Sequence, residues 1–309
     1  MAVTGSGEVV TAAGQSVDGQ TIGELAEVVK AGQCILFLGA GVHHAPPVGS
    51  GFEYPEKERP PLGGELAETL AGECGFASVC ADESPTNLQR VALCYERQKS
   101  RQDLVNRIRA AVDDRTEPSP ALRALAEMPF PIIMTTNYDT LFERALGLSP
   151  VRKRPVVGVY SSERKVTSDY PGPGDPSAER PFLFKMHGDI DVPESIVVTD
   201  EDYIHFVLRM NDVEAMKPIP GEIQYRLKRW PTLFVGYGLL DFNLRLLFRT
   251  LRWGLDQAQW PSSYSVDVRP DPLNKDTWTK EGLRFIVEDV WQFVPELYSL
   301  VLGRDMPKM

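Results

Sequence analysis

Short apolar runs that alternate with helical patterns constrain the fold of this chain more than any other feature. The runs at 34–38, 130–135, 182–186 and 232–235 are four to six residues long, nearly uniformly apolar and bounded by turn residues. A run of that kind fits a strand buried on both faces better than one with a wet side. Further strand-like runs lie at 154–160, 264–268 and 283–287. Helical spacing of apolar residues marks 21–30, 65–71, 87–99, 102–112, 119–128, 140–146, 200–210, 221–229, 241–253 and 290–302. Strands and helices in alternation favour a mainly parallel sheet covered on both faces. The expected fold class is therefore α/β: a doubly wound, mainly parallel, Rossmann-like sheet with a helical insertion at about 65–128.

At 309 residues the chain exceeds the usual size of a single domain. Residues 1–20 are rich in Gly, Ser, Thr and Val and lack a basic segment followed by an apolar one, so they read as a flexible tail. Residues 21–309 read as one domain. Pro and Gly are dense over 45–64, which marks a long loop of the sort that often serves as a functional lid. A second polar, Pro/Gly-rich excursion occupies 161–180. The net charge of −10 argues against a broad nucleic-acid surface. Arg152-Lys153-Arg154 reads as a solvated loop. No apolar run reaches the length of a membrane span, and the expected location is the cytoplasm. The cysteines Cys34, Cys74, Cys80 and Cys94 contain no C-x-x-C pair, so free thiols are expected and a zinc site built from them alone is not.

Candidate chemistry sits where the runs end, the place where an open α/β sheet keeps its ligand. Gly39-Ala40-Gly41 follows the first run, and glycines there let backbone N–H groups approach a pyrophosphate. The third glycine of the dinucleotide fingerprint is absent, His44 standing in its place, so a tight turn is the alternative reading. Asn137 lies just past Thr135-Thr136, where an uncharged amide suits a ribose hydroxyl or a water, or simply a turn. Asp139 is placed to cap the helix that follows. His187 leaves its strand directly and precedes Gly188, a position from which an imidazole accepts a proton near neutral pH. Gly236-Tyr237-Gly238 is a second glycine-bearing strand end, with Asp241 opening a helix beyond it. His43 and His44, adjacent on an irregular loop, are read as loop histidines facing a ligand rather than as metal ligands. His205, within an apolar helical pattern, is read as a packing residue.

Taken in order, Phe37-Leu38-Gly39-Ala40-Gly41-Val42, Thr135-Thr136-Asn137-Tyr138-Asp139, Met186-His187-Gly188 and Gly236-Tyr237-Gly238-Leu239-Leu240-Asp241 resemble the sirtuin-like domain of bacterial defence proteins, over about residues 30–245. The resemblance implies that Gly39, Ala40 and Gly41 hold the pyrophosphate of NAD+ and that Asn137 positions the nicotinamide ribose or the attacking water. It makes His187 the catalytic base. Asp139 would orient the ribose pocket, and Gly236, Tyr237 and Asp241 would lie near the adenosine half. Deacylating sirtuins carry two cysteine pairs for zinc downstream of the histidine, whereas all four cysteines here precede His187. No structural zinc is expected. The branch implied hydrolyses NAD+ to nicotinamide and ADP-ribose, as an NAD-depleting effector in antiphage defence. It implies a homo-oligomer, or pairing with a separate ATPase or nuclease. The competing readings are an NAD- or ADP-ribose-binding module without turnover, and a deacylase or ADP-ribosyltransferase. One departure from many relatives is Val42-His43-His44 and a Pro-rich loop where they place Ser or Thr.

Overall fold

Four-residue strands form the centre of the molecule, and the inner ones are too apolar to leave either face in water. The computed structural model describes residues 17–160, 175–210, 219–239 and 260–308. Within them the strands are β1 (Ile35–Leu38), β2 (Ile132–Thr135), β3 (Val156–Val159), β4 (Phe182–Lys185), β5 (Thr232–Val235), β6 (Ser263–Val266) and β7 (Leu283–Ile286). They join in one sheet of order β3-β4-β2-β1-β5-β6-β7, and every neighbouring pair is parallel. All residues of β1, β2, β4, β5 and β6 are buried.

The helices are α1 (Val17–Lys30), α2 (Gly63–Cys74), α3 (Phe76–Val79), α4 (Leu88–Gln98), α5 (Arg101–Val112), α6 (Pro120–Glu127), α7 (Leu141–Leu148), α8 (Asp200–Met210), α9 (Gly221–Leu227), α10 (Pro272–Lys280) and α11 (Val290–Leu302). Side-chain caps start several of them: Asn87 on α4, Ser100 on α5, Ser119 on α6, Asp271 on α10 and Asp289 on α11. Helix α1 begins four residues before Thr21.

Side chains alternate across the sheet, and each set has its own helical cover. Leu36 and Leu38 pack with α1, α6, α7 and α11. Ile35 and Phe37 face the other way, towards Phe206 of α8, Ile223 and Leu227 of α9, and Trp278 of α10. Helices α2–α5 build a third core of their own, closed by Ile190, Ile196 and Val198 from the segment after β4. Helix α6 belongs to the sheet layer, so the part of the helical stretch with a separate core ends with α5.

Several readings change. Lys153 is buried rather than solvated, its Nζ donating to the Met128 carbonyl at 2.6 Å, and burial pushes its pKa down to about 8. His205 is exposed on the outer side of α8 and is not a packing residue. Helix α10, absent from the apolar pattern, has Trp278 as its one buried residue. The pattern at 241–253, Asp241 with it, lies outside the described residues, as do most of the 161–180 excursion and residues 1–16 of the N-terminal tail.

The order of strands sets the site. From β1 the chain moves one way to β2, and from β5, on β1's other side, it moves the opposite way to β6, so the exits of β1 and β5 flank a topological switch point. Those two exits meet backbone to backbone: Gly41 N donates to the Gly236 carbonyl at 2.7 Å. A Cβ on Gly39 would stand 2.5 Å from the Gly236 oxygen, and one on Gly236 would stand 2.0 Å from Val42 N. Gly236 also has φ +67°, which a side chain disfavours. The glycines are thus needed first for loop-on-loop contact. We expect Gly236→Ala to cost roughly 2–5 kcal/mol through backbone strain and overpacking, read as a lower urea midpoint.

Candidate active site

Three strand exits converge at the switch point, and each is fixed by hydrogen bonds that leave its functional side chain at the crevice. At the end of β2, Thr135 Oγ1 donates to the Leu38 carbonyl at 3.1 Å and accepts from Asn137 N at 3.0 Å, tying the Asn137 loop to β1. Asp139 Oδ1 accepts from Leu141 N, the first N–H of α7, at 3.0 Å, while the N-cap position itself falls to Thr140. Thr140 donates through its N and its Oγ1 to Asp113 Oδ1, linking this loop to the end of α5.

At the end of β4 stands Lys185, fully buried. Its Nζ donates to the carbonyls of Asp139 (2.6 Å) and Tyr138 (3.2 Å) and pairs with Asp189 (2.8 Å) and Glu143 (3.1 Å). Burial opposes its charge, but Glu143, Asp189 and Asp139 together raise its pKa above the usual value. Burial pushes Glu143 up to about 6 despite the ammonium beside it.

Two residues further on, His187 is buried, with Nδ1 3.2 Å from the Tyr203 hydroxyl and its ring edge-on to Tyr203 and Phe206 of α8. Gly188 then reverses the chain at φ +90°, where a Cβ would lie 2.2 Å from the Ser195 carbonyl oxygen. Asp189 N donates to Ser195 Oγ at 2.9 Å, and Val197 N to the His187 carbonyl at 2.9 Å, closing this turn.

Ala40, Gly41, Asn137, Asp139, His187, Gly236 and Tyr237 line one cavity of about 370 Å³. Its opposite wall comes from the Pro-rich loop and the helical insertion: Pro60, Pro61, Leu62, Leu66, Leu88 and Val112. Gly39 is turned into the contact with Tyr237 instead. A second hollow of about 400 Å³, at the ends of β5–β7, shares Gly41, His44 and Gly236-Tyr237-Gly238 with the first, so the paired loops separate two halves of an elongated crevice.

One participant escaped the sequence reading. Tyr203 lies mid-helix, where nothing local marks it. His43 and His44, read as loop histidines facing a ligand, both line the cavity, but His43 is not on an irregular loop: it ends the 3-10 turn Ala40–His43, buried, whereas His44 is exposed. His43 Nε2 stands 3.6 Å from Asp139 Oδ2 and 3.5 Å from Asn137 Nδ2. Burial alone would raise the pKa of Asp139, but His43, Lys185 and the Leu141 N–H outweigh it and hold the carboxyl below its usual value. Among the described residues no group of three or more His, Cys, Asp and Glu is placed to hold a metal ion.

The sequence model of the SIR2-like domain matches residues 131–286, a segment that contains Asn137, His187 and Gly236. The chain belongs to the SIR2-like family. Relatives include the NAD(+) hydrolase ThsA of Enterococcus faecium, 27% identical over 243 residues, covering 78% of this chain and 44% of that protein. ThsA of Acinetobacter baumannii is 25% identical over 233 residues, 74% of this chain and 45% of its own length. Defense-associated sirtuin 2 of Bacillus subtilis is 25% identical over 276 residues, 86% of this chain and 24% of its own length. The chain therefore spans less than half the length of these relatives.

In this SIR2-like site the ammonium of Lys185 is the group whose removal leaves the most behind. Lys185→Met strands two carboxylates and two carbonyls, and we expect a loss of about 3–5 kcal/mol in urea unfolding. Glu143 is raised in the folded state, so the stability it contributes is present below pH 4.5 and lost as pH rises through about 6. The stability of Glu143→Gln relative to wild type should accordingly improve across that interval.

Proposed function

We propose that this chain cleaves the N-glycosidic bond of NAD+ with water, giving nicotinamide, ADP-ribose and a proton. The observation that carries the reading is that Asn137 and His187, 50 residues apart on separate strand exits, line one cavity at the sheet's switch point. The names of the ThsA relatives support it, as does the elongated form of the crevice.

In this reading nicotinamide sits against the apolar wall of Leu62, Leu66 and Leu88, and the adenosine half passes Gly236 and Tyr237 towards the second hollow. The bond from the ribose anomeric carbon to the pyridinium nitrogen breaks, and its electron pair leaves with neutral nicotinamide. Positive charge develops on the ribose. The Asn137 amide orients the nucleophile without competing for its proton, and His187 accepts a proton from a ribose hydroxyl or from water. The Tyr203 hydroxyl at Nδ1 fixes the ring's orientation. Asp139 orders the pocket from behind, and Ala40 and Gly41 face the pyrophosphate.

We further place the chain as an NAD-depleting effector of antiphage defence, in line with the name of the Bacillus subtilis relative, a defense-associated sirtuin. It would act in the cytoplasm without zinc, as a homo-oligomer or beside a separate ATPase or nuclease.

The test is nicotinamide release from NAD+ by the purified chain, followed by chromatography. Asn137→Ala and His187→Ala are each expected to lower turnover by about 100-fold or more. NAD+ binding with no turnover in wild type, unchanged in His187→Ala, would instead select a binding module.

A further inference from the structure

The strip common to the two hollows decides where the middle of a dinucleotide lies. Among the described residues it consists of Gly41, His44, Gly236, Tyr237 and Gly238. A dinucleotide with one half in each hollow carries its diphosphate, and the negative charge on it, across that strip. The glycine turn after β1 has little to offer those charges, because its N–H groups are spent inside the protein. Gly39 N donates to the Val235 carbonyl at 3.0 Å, Gly41 N to that of Gly236 at 2.7 Å, Val42 N to that of Gly39 at 3.2 Å and His44 N to that of Gly41 at 3.2 Å. A turn that binds phosphate through its backbone needs N–H groups that point outward unpaired.

The walls add to the shortage of positive charge. Asp139 borders the first hollow, and Asp267, Glu288 and Asp289 border the second, against the cation Arg269. In the first hollow His43 is buried beside Asp139, and His187 is buried beside Tyr203. Of the strip residues named above, only His44 has a side chain that can carry positive charge. It is exposed, and its backbone is tied on both sides: its N to Gly41, and its carbonyl as acceptor from Trp291 Nε1 at 3.1 Å. Trp291 in turn packs against Phe52 and Tyr54 of the Pro-rich loop. His44 is thus held at the strip while its ring makes no hydrogen bond or ion pair with the described residues. A neutral imidazole offers one N–H and the protonated ring two, and a neighbouring anion favours the second form.

Resting on the NAD+-cleaving reading, we propose that the imidazole of His44 holds the substrate's diphosphate, donating to a phosphate oxygen where the two hollows meet. The glycines let the loops close on each other and leave room for the diphosphate, and His44 supplies the charge that their committed backbone does not. The diphosphate carries the same charge before and during cleavage of the carbon–nitrogen bond. The contact therefore holds ground state and transition state alike, so it lowers KM and leaves kcat in place. It also holds the product ADP-ribose, which keeps the diphosphate.

Steady-state kinetics with NAD+ and calorimetry with ADP-ribose, both on the full chain, separate this role from a structural one. His44→Ala is expected to raise KM for NAD+ and Kd for ADP-ribose by about tenfold, with kcat within about threefold of wild type and the urea midpoint unchanged. His44→Arg, which keeps a cation at the strip, is expected to hold KM and Kd within about threefold of wild type. Unchanged KM and Kd in His44→Ala overturn the proposal. So does a His44→Arg variant as weak as His44→Ala, or a fall in kcat at unchanged KM. The Kd comparison decides whether or not the isolated chain turns over. A wild-type chain that neither releases nicotinamide nor binds ADP-ribose overturns the NAD+ reading and this inference together, whereas equal ADP-ribose affinity in wild type and His44→Ala overturns this inference alone.

Discussion

One buried cation holds the site together. Lys185 is placed by β4 between the loop that carries Asn137 and the turn that carries His187, and it has no contact with water. A charge in that position is tolerable only when it is fully paired. The pairing is structural as well as electrostatic, because the partners are the carbonyls of Tyr138 and Asp139, the Glu143 carboxylate on α7 and the Asp189 carboxylate past His187. Moving either loop would unpair the ammonium. The separation between the amide-bearing and imidazole-bearing exits is set by that requirement.

The helical insertion is clamped to the same region. Arg101 of α5 donates to the Ile196 carbonyl at 2.6 Å and pairs with Asp202 of α8 at 2.8 Å. Arg109 pairs with Asp191 and donates to the Ile190 carbonyl. Because Ile190 and Ile196 also enter the core of the insertion, the turn after His187 is part of two packed bodies at once. The apolar wall contributed by Leu66 and Leu88 therefore keeps a fixed position relative to His187.

The glycines at the switch point illustrate how one pattern serves two physical purposes. Read as sequence, Gly39-Ala40-Gly41 and Gly236-Tyr237-Gly238 suggest backbone open to a phosphate. In the structure Gly39, Gly41 and Gly236 are consumed in the contact between the loops, and that contact divides the crevice into its two halves. Gly41 and Gly236 line the cavity, and steric closeness of two chain segments explains why they are glycines.

The amino-acid sequence alone determined the elements whose signals are local. Doubly buried strands show as unbroken apolar runs, and Ser100, Ser119 and Asp289 announce helix starts, because capping involves residues three or fewer positions apart. Helix α10 lacked such legibility: Asp271-Pro272 is a good start, but a single buried Trp278 makes no stripe. What only the tertiary structure decided depends on partners far along the chain. Strand order brought β5 beside β1. The turn Ala40–His43 buried His43 and left His44 exposed at the cavity's edge. Lys153 and Lys185, each polar in any composition count, are buried because carbonyls and carboxylates from other segments surround them. Burial and charge pairing are properties of the packed whole, so no window of sequence contains them.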